Sequence, residues 1–243
     1  MVAGVTLFSV GQKNSASVFV TSSAQRLGGG IELPLCKEND SLIINSIGRY
    51  TLQYSPHYRS AMWVAYKLCA ADLSGNAGRS NSFTQDRELA ARGYVTARNG
   101  DYLKSGYDKG HLLPSADRQK TKQENCSTFI LSNVSPQKPK LNRGVWKKLE
   151  EHIRREVTRC DTLYIVVGAL LHPALPRLGL SAIAIPELYF KAILSRRNNH
   201  YFSAAYLIPN TETPRNNFFD YQISIDSLER LAKLRLFPKI LGK

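Results

Sequence analysis

Apolar positions along this chain fall into runs, alternations and helical spacings that mark out its elements in turn. Arg49-Tyr50-Thr51-Leu52-Gln53-Tyr54-Ser55 is rich in β-forming residues and stops at Pro56. Met62-Trp63-Val64-Ala65-Tyr66-Lys67-Leu68 is apolar on both faces, which predicts a central strand. A polar loop runs from Ser74 to Asp86. Phe129-Ile130-Leu131 reads as a short buried strand, and Pro136 and Pro139 then predict an irregular connection. From Leu141 to Val157 the spacing becomes helical. Trp146, Leu149, Ile153 and Val157 share one side, with Lys147, Lys148, Glu151, Arg154 and Arg155 between them. Thr162 to Val167 reads as a fully buried strand ended by Gly168. Tyr189 to Leu194 and Tyr201 to Ile208 are two more strands, joined by the polar turn Ser195 to Asn199. Asp226 with Glu229 predicts a capped helix start, continued by Leu228, Leu231 and Leu234 toward Pro238.

Strands dominate and one long helix is inserted among them. The expected fold class is α+β, with a central antiparallel sheet flanked by helices. Residues 1–40 differ from the rest: Ser, Thr, Gly and Asn are frequent, and Gly28-Gly29-Gly30 punctuates them. They read as an N-terminal leader or arm, partly disordered, with Val18-Phe19-Val20 as an edge strand. Ile31 to Leu35 has an alternating pattern that suits the start of the domain proper. Residues 41–243 are expected to form one domain.

Charge narrows the picture. The formal net charge is +14 and the isoelectric point about 9.7, a balance that attracts polyanions, nucleic acid above all. No run of about 18 or more apolar residues is present, the length a membrane-spanning helix needs. Met1-Val2-Ala3-Gly4 lacks a positively charged start, so the N-terminus is a poor signal peptide as written. Cys36, Cys69, Cys126 and Cys160 contain no Cys-x-x-Cys pair, which speaks against a zinc cluster. Two disulfides or four thiols both suit the count.

The candidate chemistry lies in three blocks: Asp108-Lys109-Gly110-His111, then Ser132-Asn133-Val134-Ser135-Pro136-Gln137, then Asn142 through Trp146 and Leu149 to Glu150. In this order they resemble the DNA/RNA non-specific endonucleases with a ββα-metal site, the family that includes the Serratia-type nuclease and mitochondrial endonuclease G. Its hallmark is Asp-Arg-Gly-His, Ser-Asn-x-x-Pro-Gln and Asn-x-x-x-Trp-x-x-Leu-Glu. The likeness extends from about Tyr50 to Leu236 and takes in Trp63-Val64-Ala65-Tyr66, Gly168-Ala169-Leu170 and Tyr189-Phe190-Lys191. It implies a six-stranded sheet with the ββα element on one side. It also implies an enzyme that hydrolyses phosphodiester bonds of DNA and RNA, leaving 5′-phosphate and 3′-hydroxyl ends.

Phosphodiester hydrolysis needs a deprotonated water, stabilisation of the charge that builds on the phosphoryl group, and protonation of the leaving oxygen. His111 suits the first task as general base, because imidazole titrates near neutrality. Mg²⁺, or Mn²⁺ or another divalent cation, suits the other two. Asn142 offers one neutral oxygen to such a cation. Glu150 lies eight positions along the same predicted helix, a rise of roughly 12 Å, and leans back toward Asn142. It is therefore expected to meet the cation through a bound water, which is also what the resemblance implies. Each residue has a blander reading: a helix cap for Asn142, a structural histidine for His111, a solvated carboxylate for Glu150, and a turn residue for Asn133.

By the resemblance Asn133 helps place the histidine and substrate. Asp108 reads as a loop-organising acceptor for backbone N–H groups. The family's arginine in the first block is Lys109 here, a point charge in place of a bidentate clamp. Arg79-Ser80-Asn81-Ser82-Phe83-Thr84-Gln85-Asp86 matches the family's Arg-x-x-x-Phe-x-x-Asp pattern, which makes Arg79 the candidate to hold the scissile phosphate. Lys138, Lys140 and Arg143, with Lys147 and Lys148, form a candidate phosphate track. No base-reading module is evident, which favours backbone recognition and tolerance of both DNA and RNA. Two other readings compete: a non-catalytic nucleic-acid-binding protein on a nuclease scaffold, and a phosphodiesterase for smaller substrates. Confinement by secretion or in the periplasm is expected of such an enzyme. A homodimer and an inhibitor protein are both compatible with the chain, and the sequence decides neither.

Overall fold

A computed structural model describes residues 30–35 and 42–242. The candidate strand Val18-Phe19-Val20 lies outside them. In chain order the strands are β1 (Leu42–Asn45), β2 (Tyr50–Ser55), β3 (Ser60–Leu68), β4 (Asp108–His111), β5 (Val134–Gln137), β6 (Thr162–Ala169), β7 (Arg177–Leu178), β8 (Ile183–Ala184), β9 (Leu188–Arg197), β10 (His200–Pro209) and β11 (Gln222–Ile223). The helices are α1 (Ala70–Leu73), α2 (Arg87–Ala91), α3 (Lys122–Ser127), α4 (Lys147–Val157), α5 (Ile225–Ala232) and α6 (Pro238–Leu241). Seven strands form one sheet in the order β1-β2-β3-β6-β9-β10-β11. Every pairing in it is antiparallel. The fold is α+β, as expected. The sheet has seven strands where the resemblance implied six; the seventh is the two-residue β11.

Both faces of the sheet are covered. On one, α4 sets Leu149, Ile153 and Val157 against Val64, Tyr66, Ile165, Val167, Tyr189 and Ile193. Burying each of those three α4 side chains stabilises the fold by roughly 1.5–3 kcal/mol. On the other, Leu228 of α5 and Ile240 of α6 pack with Trp63, Val166, Phe190 and Leu194. The alternation along β9 explains this: Tyr189 and Ile193 face α4, while Phe190, Ala192 and Leu194 face the opposite layer. Trp63 is buried and donates its indole N–H to Oε1 of Gln53, its cross-strand neighbour, at 2.8 Å. Ile31 and Leu33 pack on the second layer, and Leu35 exchanges backbone hydrogen bonds with Arg235. Residues 31–35, whose alternation suits the start of the domain, thus pack against it.

Several sequence expectations are corrected. Gly168 does not end β6 but lies inside it; a Cβ there would sit 2.3 Å from the Met62 carbonyl oxygen, so glycine lets β3 approach closely. Phe129-Ile130-Leu131 is not a strand. One bridge joins Ile130 to Thr84, and Leu131–Asn133 then turns as a 3-10 helix. Its backbone bonds go to Thr84, to the Cys126 carbonyl and to the Asn133 N–H, leaving no ladder to extend. Pro136 does not break the connection; it sits in β5 opposite Lys109 in a two-stranded ribbon, where an outward edge needs no N–H. Helix α5 is capped by Ser224, whose hydroxyl accepts from the Ser227 N–H at 3.1 Å. Glu229 instead accepts from the Leu236 N–H at 2.7 Å, and Lys233 in the left-handed conformation stops the helix short of Pro238. The β9–β10 turn is tighter than expected: Asn198 and Asn199 take positive φ, which asparagine tolerates. No disulfide joins Cys69, Cys126 and Cys160 to one another; Cys36 lies outside the described residues.

Candidate active site

The site is built on the ribbon β4–β5 and the chain that follows it into α4. The predicted helix Leu141–Val157 does not start as an α-helix. Leu141–Trp146 forms a wider turn in which Gly144 has non-helical torsions (φ −105°, ψ −112°), and regular α-helix begins at Lys147. Such wide turns re-aim side chains. This one directs Asn142 at β4, where its Nδ2 donates to Oδ2 of Asp108 at 2.9 Å. Arg143 clamps the same carboxylate from the other side, Nε to Oδ2 at 2.8 Å and Nη2 to Oδ1 at 2.5 Å. Asp108 therefore takes side-chain donors, not the backbone donors expected of it. With its nitrogen held, Asn142 has its carbonyl oxygen free. That oxygen accepts no backbone hydrogen bond among the described residues, so Asn142 is not acting as a helix cap.

His111 ends β4, opposite Val134. Its ring lies between Phe129 (centroids 4.7 Å apart, nearly perpendicular) and Phe83 (5.3 Å). It is 8% exposed, and Nε2 has no hydrogen-bond partner among the described residues. Burial, and then the positive charge of Arg79, push its pKa down to about 3. The imidazole is neutral and able to accept a proton. Arg79 lies over the Phe129 ring at 5.1 Å and donates to the Ser115 hydroxyl at 2.7 Å. Lys109 lies over Phe83 at 4.8 Å and donates to Asn99 at 2.8 Å. The Arg-x-x-x-Phe-x-x-Asp pattern thus has a role for each member. Arg79 and Phe83 pack about the histidine, and Asp86 caps α2 and binds the Ser132 hydroxyl.

Asn133 is fully buried. Its oxygen accepts from the Leu113 N–H at 2.9 Å, and its nitrogen donates to the carbonyls of Leu113 (2.9 Å) and Thr128 (2.8 Å). It fixes the chain just beyond His111, with both its oxygen and its nitrogen committed to backbone groups. Gly110 is needed for packing: a Cβ there would sit 2.3 Å from the side chain of Gln137, which is itself fully buried. In the basic cluster Lys140 is exposed. Lys138 lies 4.2 Å from the Tyr107 ring and 3.8 Å from Glu212. Arg143 is committed to Asp108 while remaining largely exposed, so it supports Asn142 as much as it offers charge to a substrate.

Glu150 lies on α4 with Oε1 3.6 Å from Nζ of Lys191. Burial raises its pKa, and Lys191 works against that rise. One turn on, Arg154 binds Asp117 at 3.0 Å, and Asp117 also accepts from the Tyr66 hydroxyl at 3.0 Å. Sequence reading missed Lys191, Asp117, Ser115 and Phe129 as parts of this neighbourhood. Lys191 carried one signal, a charged residue in an apolar strand on the face that holds Tyr189 and Ile193. Among the described residues no three His, Cys, Asp or Glu side chains converge as a metal cluster. The donor on offer is the freed Asn142 oxygen, with the Glu150 carboxylate further along the same helix.

A basic chain that presents a neutral histidine, an oriented asparagine and a half-buried glutamate from one ribbon-and-helix hairpin has the layout of a nuclease. The model of the DNA/RNA non-specific endonuclease family matches residues 34–241, and the chain belongs to that family. A nuclease from Nostoc sp. (strain PCC 7120 / SAG 25.82 / UTEX 2576) is 34% identical over 213 residues, 84% of this chain and 75% of the relative. Mitochondrial endonuclease G of Bos taurus is 32% identical over 216 residues, 82% of this chain and 71% of the relative. The crystal structure of the EndoG/EndoGI complex superposes with a TM-score of 0.76 at 27% identity, covering 84% of this chain and 88% of that one.

Proposed function

We propose that this nuclease is a metal-dependent endonuclease that hydrolyses DNA and RNA with little sequence preference, using His111 as general base and Asn142 as the one direct protein ligand of a hydrated Mg²⁺. The observation that carries this reading is the Asp108–Asn142 contact at 2.9 Å. It ties the helix turn to the strand that bears His111 and leaves the amide oxygen available, as a hard cation needs. When bound, the cation supplies positive charge to the phosphoryl oxygens and the leaving group, together with an acidic water. Mn²⁺ would serve the same donor.

His111 removes a proton from the attacking water. Its depressed basicity belongs to the free site, where burial and then Arg79 lower it; an anionic phosphate brought in by Arg79 offsets the second of these causes and makes the imidazole a stronger base. Arg79 and Lys109, held over the two aromatic rings that enclose His111, engage the phosphate. Glu150 accepts hydrogen bonds from the cation's water shell, Asn133 holds the chain behind the histidine, and Lys138, Lys140 and Arg143 guide the backbone. We further propose secretion or periplasmic residence. The solved relative in complex with EndoGI supports an inhibitor protein as a partner here too.

Asn142→Ala tests the assignment. Titration calorimetry should find Mg²⁺ affinity weakened at least about tenfold, with cleavage falling in parallel. Equal affinity in the two proteins would remove Asn142 as the ligand.

A further inference from the structure

Lys191 is fully buried in the middle of β9. It projects from the sheet face that packs against α4, between Tyr189 and Ile193, where the pattern calls for an apolar side chain. Burying an ammonium carries a desolvation penalty of several kcal/mol unless it is matched by an opposite charge. The carboxylate in reach is Glu150, 3.6 Å away. Below the charge lies the face of Trp146, 4.8 Å from Nζ to the ring centre, which accommodates a cation without supplying a hydrogen-bond acceptor. Among the described residues Nζ makes no hydrogen bond, and the hydroxyl of its cross-strand neighbour Tyr206 makes none either. Other charges near the pair are Asp117 and Arg154, and these two already bind each other at 3.0 Å. Lys191 is thus left to Glu150.

Asn142, Trp146, Glu150 and Arg154 follow one another at intervals of four along the turn and helix. Lys191 contacts the middle two. Trp146 ends the wide turn that bears Asn142, and Glu150 lies in the first turn of α4 that follows it.

We propose that Lys191 is a positioning residue for phosphodiester hydrolysis: its buried ammonium holds the Glu150 carboxylate and the Trp146 turn in register, so that Glu150 meets the water shell of a cation on Asn142. The inference rests on the nuclease reading above. A merely structural lysine would anchor α4 to the sheet and affect stability alone. A positioning lysine also sets cation affinity and turnover, and does so through Glu150.

The test uses Lys191→Met, Glu150→Gln and the double variant. Lys191→Met should weaken Mg²⁺ binding, read by calorimetry without substrate, by about 10–100-fold. It should lower kcat by a similar factor while KM for DNA changes less than about threefold. In the Glu150→Gln background the same substitution should add nothing to either loss. Wild-type cation affinity and kcat in a folded Lys191→Met protein, or equal losses in both backgrounds, would overturn the proposal. If Lys191→Met does not fold, Lys191→Gln replaces it under the same two criteria. Wild-type protein that binds no Mg²⁺ and cleaves nothing would instead defeat the nuclease mechanism itself, so the two failures are distinct.

Discussion

His111→Ala should reduce kcat on both DNA and RNA by about a thousandfold, within the range that one general base contributes, and leave DNA binding in Mg²⁺ close to that of the wild type. Arg79, Lys109 and the Asn142 oxygen, proposed to engage phosphate and cation, are untouched by the change. The same variant has a signature in stability. The folded pKa of His111 lies below its ordinary value of 6.5, at about 3. Stability associated with the neutral ring is therefore full above pH 6.5 and is lost as pH falls toward 3, because the unfolded chain takes up a proton that the folded site resists. By pH 4 the loss amounts to roughly 3 kcal/mol. Thermal melts between pH 7 and 4 should show the wild type losing stability more steeply than His111→Ala. Unchanged turnover would remove the general-base assignment, and parallel melting curves would return the histidine to an ordinary titration.

Arg118→Ala should prevent folding at room temperature. The guanidinium is fully buried and serves four carbonyls: Gly48 (2.6 Å), Asp117 (2.8 Å), Arg49 (3.2 Å) and Lys67 (3.2 Å). It also lies over the Tyr66 ring at 5.4 Å. It joins the β1–β2 turn, the end of β3 and the segment bearing Asp117, the partner of Arg154. Each buried carbonyl left without a donor costs roughly 1–3 kcal/mol. With the cavity added, the total rivals the 5–15 kcal/mol that typically holds a whole domain together. Far-UV circular dichroism and a melt would check this. A cooperative transition within a few degrees of the wild type would show that water replaces the guanidinium at little cost.

Local patterns carried the sheet and α4, because apolar periodicity reports burial directly. Tyr50 to Ser55, Met62 to Leu68 and the β9–β10 hairpin follow from it. The three blocks carried His111, Asn142 and Glu150 as well. What escaped was long-range pairing. Asp108 with Asn142, Asp117 with Arg154, and Glu150 with Lys191 join residues more than thirty positions apart, and no periodicity encodes such partners. The break at Gly144 was hidden for another reason: Trp146, Leu149 and Ile153 keep helical spacing across the end of a turn that is itself wider than an α-helix. Phe129 looked like a strand residue because a buried aromatic beside apolar neighbours gives the same pattern whether it extends a sheet or packs on a histidine ring. Ser224 was passed over for Asp226 because a cap is defined by where the helix begins, and a run of Ser and Asp offers several starts.

The most direct test of the account is incubation of the purified protein with supercoiled plasmid and with single-stranded RNA, in Mg²⁺ and in EDTA. Degradation of both polymers in Mg²⁺ and of neither in EDTA is the predicted result. Binding of both without cleavage in any divalent cation would contradict it, and would make the chain a nucleic-acid-binding protein on a nuclease scaffold, with Lys109→Arg the next variant to assay.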